Sequence, residues 1–347
     1  MTHYLTPSPK EVREKEKQDF LASVGWDKAH IAFLSGDCSF RTYHRLSDKI
    51  SKRTVLLMDA PAPHEDTAAF ERVGKLLEGY GLRAPEILAS DHEKGLLLIE
   101  DFGDKTFTNC LNRGMNPKPL YDNAVNVLLH LHKSFSTDDT SEEPLNQYDD
   151  VALLEEANLF LDWYCPHWIR QELSDAAKQS YQEILLGLFP LARNVPQSLV
   201  LRDYHVDNLM VCDDGEDIHK CGLLDFQDAL LGPVSYDLVS LLEDARRDVP
   251  EQMSLALKKN YIEANPGIDP ESFETSYNIL GVQRSLKILG IFARKAVRDN
   301  QKDYLTFIPR VWKWIEKDLS HPALKDLDKW IKAHIYPFRE EEKLELA

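Results

Sequence analysis

Apolar residues in the first hundred positions come in short runs separated by polar turns. "IAFLSGDCSFRTYHRL", a polar segment at Ser47–Arg53 and "TVLLMDA" predict a β-hairpin, followed by a loop carrying Pro61 and Pro63. Residues 10–25, ahead of it, are mostly helix formers. In "DTAAFERVGKLLEGY" (66–80), Phe70, Val73, Leu76 and Leu77 fall on one helical face, and Gly79 and Gly81 mark its end. "APEILASD" and "GLLLIEDFG" predict two more strands, with Gly95 near the turn between them. Beyond Gly103 the period becomes helical, over 119–135, 151–165, 171–190, 234–247, 250–264, 270–297 and 302–333. The exception is a short strand pair around 199–224. The pattern predicts an α+β chain, with a β-rich first lobe at residues 1–101 (including the leading helix) and a mostly helical second lobe at 102–347.

A chain of 347 residues suits two lobes rather than one small core. Hydrophobic residues at 43% and charged ones at 29% argue for a folded globular protein. The net charge of -17 argues against a nucleic-acid or anionic-membrane partner and requires local cations or a metal for any anionic ligand. Five scattered cysteines without a C-x-x-C pair predict reduced thiols. The polar N-terminus and the lack of an apolar run of about 18 residues lead to an expectation of a cytoplasmic protein.

The chemistry concentrates in "LVLRDYHVDNLMV", where Asp203 and Asn208 stand five apart between apolar flanks. After Asn208 come "LMVC", an Asp/Gly-rich turn at Asp213–Asp217, then "IHKCGLL" and Asp225. Pairing of those two runs would bring Asn208 and Asp225 together, with Asp203 on the adjoining loop. Oxygen donors of this kind suit Mg²⁺, which takes one or two carboxylates plus substrate phosphates. A third carboxylate held off the metal can accept the proton of an attacking hydroxyl. As turn formers and caps, the same residues would be unremarkable one at a time; it is the three together, after a β-rich lobe, that point to phosphoryl transfer.

The D-x-x-x-x-N spacing followed by a hairpin and Asp225-Phe226 resembles the kinase catalytic loop and metal-binding motif, and the two-lobe pattern resembles a bilobal protein-kinase-like fold. "LRDYHVDNLM" is similar to the H-G-D-x-H-x-x-N of the aminoglycoside phosphotransferase and choline kinase-like family: His205 matches, while Leu201 and Arg202 depart. "GDCSFRTYHRL", "LLMDAP", "LLLIEDFGD" and "LLDFQDALLGPVSYDLVSLLED" make one branch the nearest resemblance, over about residues 33–245. That branch is the anomeric N-acetylmuramate/N-acetylglucosamine kinases of bacterial cell-wall recycling.

The resemblance implies an ATP- and Mg²⁺-dependent kinase with a small sugar acceptor. Asp203 would be the catalytic base, Asn208 and Asp225 the Mg²⁺ ligands, and Asp237 a buried brace of the catalytic loop. Ser35, Gly36 and Ser39 would cover the ATP phosphates, and Glu100 to Gly103, with Asp101 between them, would form the adenine hinge. Glu156 and Trp163, in "EANLFLDW", would meet the acceptor, although an aromatic at helical spacing is more often core. His130 and His132, two apart on a helix, face different directions and suit core or surface roles better than a metal pair.

One departure stands out: "TVLLMDA" has no lysine to grip the α- and β-phosphates. Arg41, with Arg45 nearby, could supply that cation, and Glu71 lies in the helix that would carry its partner. An aminoglycoside or another small alcohol stays open as acceptor, because fold and motif set the reaction and not the acceptor. The missing lysine also leaves open a kinase-like binding module without activity, against which the intact Asp203, Asn208 and Asp225 count.

Overall fold

A computed structural model of the chain describes residues 8–36, 40–140 and 144–337. The order begins α1 (Pro9–Ser23), β1 (His30–Gly36), β2 (Thr42–Ser47), β3 (Thr54–Asp59), α2 (Thr67–Gly79), β4 (Ile87–Asp91), β5 (Leu96–Glu100) and α3 (Phe107–Asn112). It continues with α4 (Pro117–Ser134), α5 (Asp150–Leu159), α6 (Asp175–Ala192), β6 (Gln197–Val200), β7 (Leu209–Val211), β8 (Cys221–Leu223) and β9 (Leu230–Pro233). The last helices are α7 (Tyr236–Leu242), α8 (Glu251–Glu263), α9 (Pro270–Arg298), α10 (Ile308–Asp318) and α11 (Lys325–His334). Contacts divide the chain into two units, Met1–Arg113 with Leu209–Asp228, and Gly114–Asn208 with Ala229–Ala347.

The first unit is built on a five-stranded antiparallel sheet of order β1-β2-β3-β5-β4. The period of two puts Val55 and Leu57 of β3 and Leu96 and Leu98 of β5 into one cluster, which Phe20 and Leu21 of α1 complete. A capping box between Ser8 and Glu11, with Pro9 in the first turn, starts α1. Arg13 then ties that helix to the sheet, donating to Asp59 at 2.9 Å and to the Lys94 carbonyl at 2.6 Å. Helix α2 is capped by Asp66 and sets Phe70 against Phe226, ring centroids 4.8 Å apart. Gly95 turns β4 into β5 at φ +62°, where a Cβ would lie 2.0 Å from the Ala60 carbonyl oxygen, so no other residue fits.

The hairpin β7–β8 belongs to this unit, with Leu209 opposite Leu223. Bridges from Arg83 to Gly222 and from Thr106 to Met210 attach it.

The second unit is helical apart from the ladder β6–β9, where Leu199 pairs with Leu231. The strand pair expected around 199–224 is thus present as β7–β8. The first apolar flank instead joins β9, which the sequence pattern does not announce because Leu230–Pro233 runs straight into helical text. Helix α9 is the axis of this unit: eighteen of its residues are buried, from Phe273 to Ala296. Its Gly290 meets the end of α5 so closely that a Cβ would lie 2.3 Å from the Leu159 carbonyl group. Gly290→Ala should therefore lower the urea midpoint, by about 1–3 kcal/mol of stability, because backbone rather than a flexible side chain must yield.

Two expected helices are interrupted. The one over 151–165 widens into a π-helix at Phe160–Trp168, where Pro166 has no N–H to give and Ile169 bonds back to Tyr164. The one over 302–333 breaks into a 3₁₀ turn at Lys302–Phe307, α10, a turn at Pro322–Leu324 and α11. Pro322 explains the second break, since it disfavours helical backbone at the residue before it. Among the described residues Cys110, Cys165, Cys212 and Cys221 form no disulfide, and no helix is long and apolar enough to cross a membrane.

Candidate active site

In the second unit, the chain leaves β6 at Val200 and enters a loop built around Asp203. Asp237, at the start of α7 and 1% exposed, accepts from the Leu201 N–H at 2.7 Å and the Arg202 N–H at 2.9 Å. That grip holds Arg202 at φ +68°, a left-handed backbone that a non-glycine residue keeps only when its surroundings impose it. Tyr204 turns inward and donates to the Ala124 carbonyl at 2.9 Å, and Val206 is buried beside it. Asn208 donates its side-chain amide to the Asp203 carbonyl at 3.0 Å, which closes the loop. Asp203, half-buried, has its backbone held and its carboxylate presented.

Electrostatics around Asp203 favour the ionised form. Burial pushes its pKa up, but Lys287 foremost, then His205, Arg284 and Arg202, outweigh that and hold it at about 2. Burial likewise raises Asp237, to about 7, against the two N–H donors that favour its carboxylate. His205 is 5% exposed, and its pKa is pushed down by burial and then by Arg246.

Behind the loop lies Glu156 of α5. Its carboxylate accepts from Arg202, from Lys287 at 2.6 Å, from Gln283 at 3.2 Å and from the Tyr148 hydroxyl. Those four donors use the lone pairs two oxygens offer. Burial raises its pKa and the two cations override it, leaving it at about 2. Trp163 is half-buried against the core of this unit, with His167 at 5.3 Å between ring centroids.

In the first unit, Asp225 follows β8 by one residue and also has a left-handed backbone, φ +56°. Arg41, 5% exposed, donates to it at 2.8 Å, and Gln227 donates at 2.9 Å. Arg41 also lies 3.4 Å from the Glu65 carboxylate, which accepts the Phe40 N–H at 3.0 Å. Glu71 is instead engaged by Lys75 and by His92 at 2.9 Å. Met58 of β3 is 1% exposed and sits where the lysine is missing, opposite Tyr43 and Leu97.

Ser35 and Gly36 end β1, paired with Tyr43 and Thr42, while Ser39 lies outside the described residues, as does Cys38. Glu100 ends β5 and takes Arg83 at 2.6 Å. Asp101, its side chain 2% exposed, holds Arg45 at 2.7 Å and accepts the Gly103 N–H at 2.9 Å. Arg83, Glu100, Asp101 and Gly103 line a cleft of about 400 Å³ that also takes in Phe102, Lys105 and Val211–Asp214.

His132 is a core residue, bonded to the Tyr261 hydroxyl at 2.5 Å and held down to about 3 by burial.

The structure brings Asp203 and Asn208 together in one unit, and Arg41 and Asp225 together in the other. Sequence reasoning missed Glu65, Arg202, Gln283, Arg284, Lys287 and Tyr148. The Glu156 cluster draws on residues more than a hundred positions apart, and no local spacing announces it.

The model of the phosphotransferase enzyme family matches residues 30–272. Among characterised proteins, the chain is 32% identical to the N-acetylmuramate/N-acetylglucosamine kinase of Caulobacter vibrioides, over 93% of this chain and 97% of that one. It is 36% identical to the protein of the same name from Pseudomonas aeruginosa, over 89% of this chain and 90% of that one. Among solved structures, the fold resembles a choline/ethanolamine kinase family protein from Mesorhizobium loti, with TM-score 0.61 and 14% identity, covering 90% and 97% of the two chains. The aminoglycoside phosphotransferase APH(2")-IIa in complex with gentamicin gives TM-score 0.56 at 13% identity, covering 92% and 98%. With a helical unit presenting Asp203 and a sheet unit holding Arg41 on Asp225, this chain belongs to the phosphotransferase enzyme family.

Proposed function

We propose that the protein is an ATP- and Mg²⁺-dependent kinase that phosphorylates the anomeric hydroxyl of N-acetylmuramate or N-acetylglucosamine. The observation that carries the reaction type is the Arg202–Asn208 loop: a strained, doubly anchored backbone that presents an ionised carboxylate. The acceptor comes from the names of the relatives, which match across most of the chain.

Asp203 receives the sugar hydroxyl as a hydrogen-bond donor and directs its oxygen at the γ-phosphorus. A carboxylate with a pKa of about 2 is a weak base, so the proton passes to it only as the new O–P bond forms and the bond to the β,γ-bridging oxygen breaks. ADP leaves and the phosphoryl group ends on the sugar. Magnesium takes hard oxygens, and the side-chain oxygens of Asn208 and Asp225 are of that kind. Such an ion, held by those two side chains and by ATP, would neutralise charge on the phosphates. Ser35, Gly36 and Ser39 would contact the phosphates, and Glu100 and Asp101 would fix the hinge that receives adenine.

Arg41 is the residue proposed to replace the strand lysine. Its support is that it is buried, bonded to the Asp225 carboxylate and close to Glu65. Arg41→Met should raise the ATP KM on the order of 10- to 100-fold, as loss of a charge-assisted bond would. Steady-state kinetics with unchanged ATP KM and turnover would remove Arg41 from the nucleotide site.

The reading as a whole is tested by incubating the protein with Mg-ATP and N-acetylmuramate, N-acetylglucosamine or an aminoglycoside, and locating the new ester by phosphorus NMR. An ester away from C1 would sink the anomeric assignment. Transfer to none of the three would favour a binding module.

A further inference from the structure

Beside Asp203 the second unit gathers several cations, most of them already bonded to carboxylates. Gln283 and Lys287, one turn apart on α9, both donate to Glu156, and so does Arg202, the residue before Asp203. One carboxylate thus serves two cations, and through it α9 is tied to the catalytic loop. Arg284 sits within this stretch of α9 and shares a helix face with Lys287, three residues on. It is 5% exposed, yet it makes no hydrogen bond or ion pair among the described residues. None of its nitrogens is among the enclosed polar atoms that lack a partner. Its stem is therefore packed away while its guanidinium faces space that solvent can reach.

A buried arginine that makes no direct bond to a carboxylate costs stability, and the fold retains one here a short way from the proposed base. Its charge acts on both Asp203 and Asp237. The neighbouring cations are already committed: Lys287 and Arg202 to Glu156, and Arg246 to Asp207 at 3.1 Å.

We propose that Arg284 receives the anionic group of the acceptor, the lactyl carboxylate by which N-acetylmuramate differs from N-acetylglucosamine. The proposal rests on the sugar-kinase reading above and makes Arg284 a specificity residue. A planar guanidinium can meet a carboxylate with two parallel hydrogen bonds, which a point-charge ammonium cannot.

The test measures kcat/KM for N-acetylmuramate, its methyl ester and N-acetylglucosamine in wild type, Arg284→Met and Arg284→Lys. Arg284→Met should lower the value for N-acetylmuramate on the order of 10- to 100-fold more than the value for N-acetylglucosamine. It should also erase the preference for acid over ester, which Arg284→Lys should restore in part. Equal losses on both sugars would overturn the proposal, and equal losses accompanied by a raised ATP KM would assign the cation to the transferred phosphate instead. Should Arg284→Met fail to fold, the wild type still decides: no discrimination between acid and ester overturns the anion site. Wild type turning over neither sugar would overturn the kinase reading and this proposal with it, an outcome distinct from turnover of both without discrimination.

Discussion

Asp203→Asn should lower kcat on the order of 10²- to 10⁴-fold while leaving the ATP KM within a few-fold of wild type. The substitution keeps the shape of the side chain and every backbone contact of the loop, since Asp237, Tyr204 and Asn208 hold main-chain atoms or bury themselves elsewhere. What disappears is the negative charge that accepts the hydroxyl proton. With its pKa at about 2, Asp203 stays ionised through any practical assay range. The wild-type pH profile of kcat/KM should therefore show no acid limb from this group above about pH 4, because one pH unit per tenfold in protonation leaves it almost wholly ionised there. Circular dichroism and kinetics on the same samples separate loss of chemistry from loss of fold. Retention of more than a tenth of wild-type turnover by a folded Asp203→Asn protein would remove it from the role of base.

The second large effect should come from Glu156. Glu156→Gln replaces an acceptor of four hydrogen bonds with an amide whose NH₂ must face donors, and it takes from the buried Lys287 and the partly buried Arg202 the carboxylate both donate to. Breaking a buried charge cluster in this way costs about 3–5 kcal/mol, far more than an exposed pair would. The pH dependence follows from the depressed carboxyl. A folded-state pKa of about 2, below an unfolded value of about 4.3, gives stability that is present at neutral pH and lost as pH falls through that interval. The gap between wild type and Glu156→Gln in urea melts should therefore be widest near pH 7 and close between about pH 4 and pH 2. A second substitution, Lys287→Met, should recover part of the loss by removing one stranded cation, and a double-mutant cycle reads the coupling. Additive effects would mean that the two side chains do not share the cluster. Because Arg202 immediately precedes Asp203, turnover of Glu156→Gln should fall as well.

Local features of the text carried much of this. The period of two in "TVLLMDA" and "GLLLIEDFG", the helical face of Phe70, Val73 and Leu77, and Gly95 between two strands all depend on neighbours in the chain, and the sheet unit has them as expected. The hairpin after Asn208 was legible because its two runs are short and joined by an Asp/Gly turn. The partner of β6 was not, since the strand it pairs with is separated by an entire hairpin. Nor was the glutamate beside Arg41: Glu71 has the helical address, but Glu65, just ahead of the Asp66 cap, reaches the guanidinium.

By itself the sequence determined the α+β pattern, the reaction class implied by Asp203, Asn208 and Asp225, and the absence of a strand lysine. These follow from residue type and spacing within a few tens of positions, where backbone periodicity and turn chemistry act. The tertiary structure decided which charges meet. Only it sets Arg41 on Asp225, joins Glu156 to Arg202 and Lys287, and buries Arg284 with no direct ion pair among the described residues. Long side chains from distant helices find one another through burial, which lowers the dielectric and makes each unmatched charge costly. Spacing along the chain carries no record of that matching.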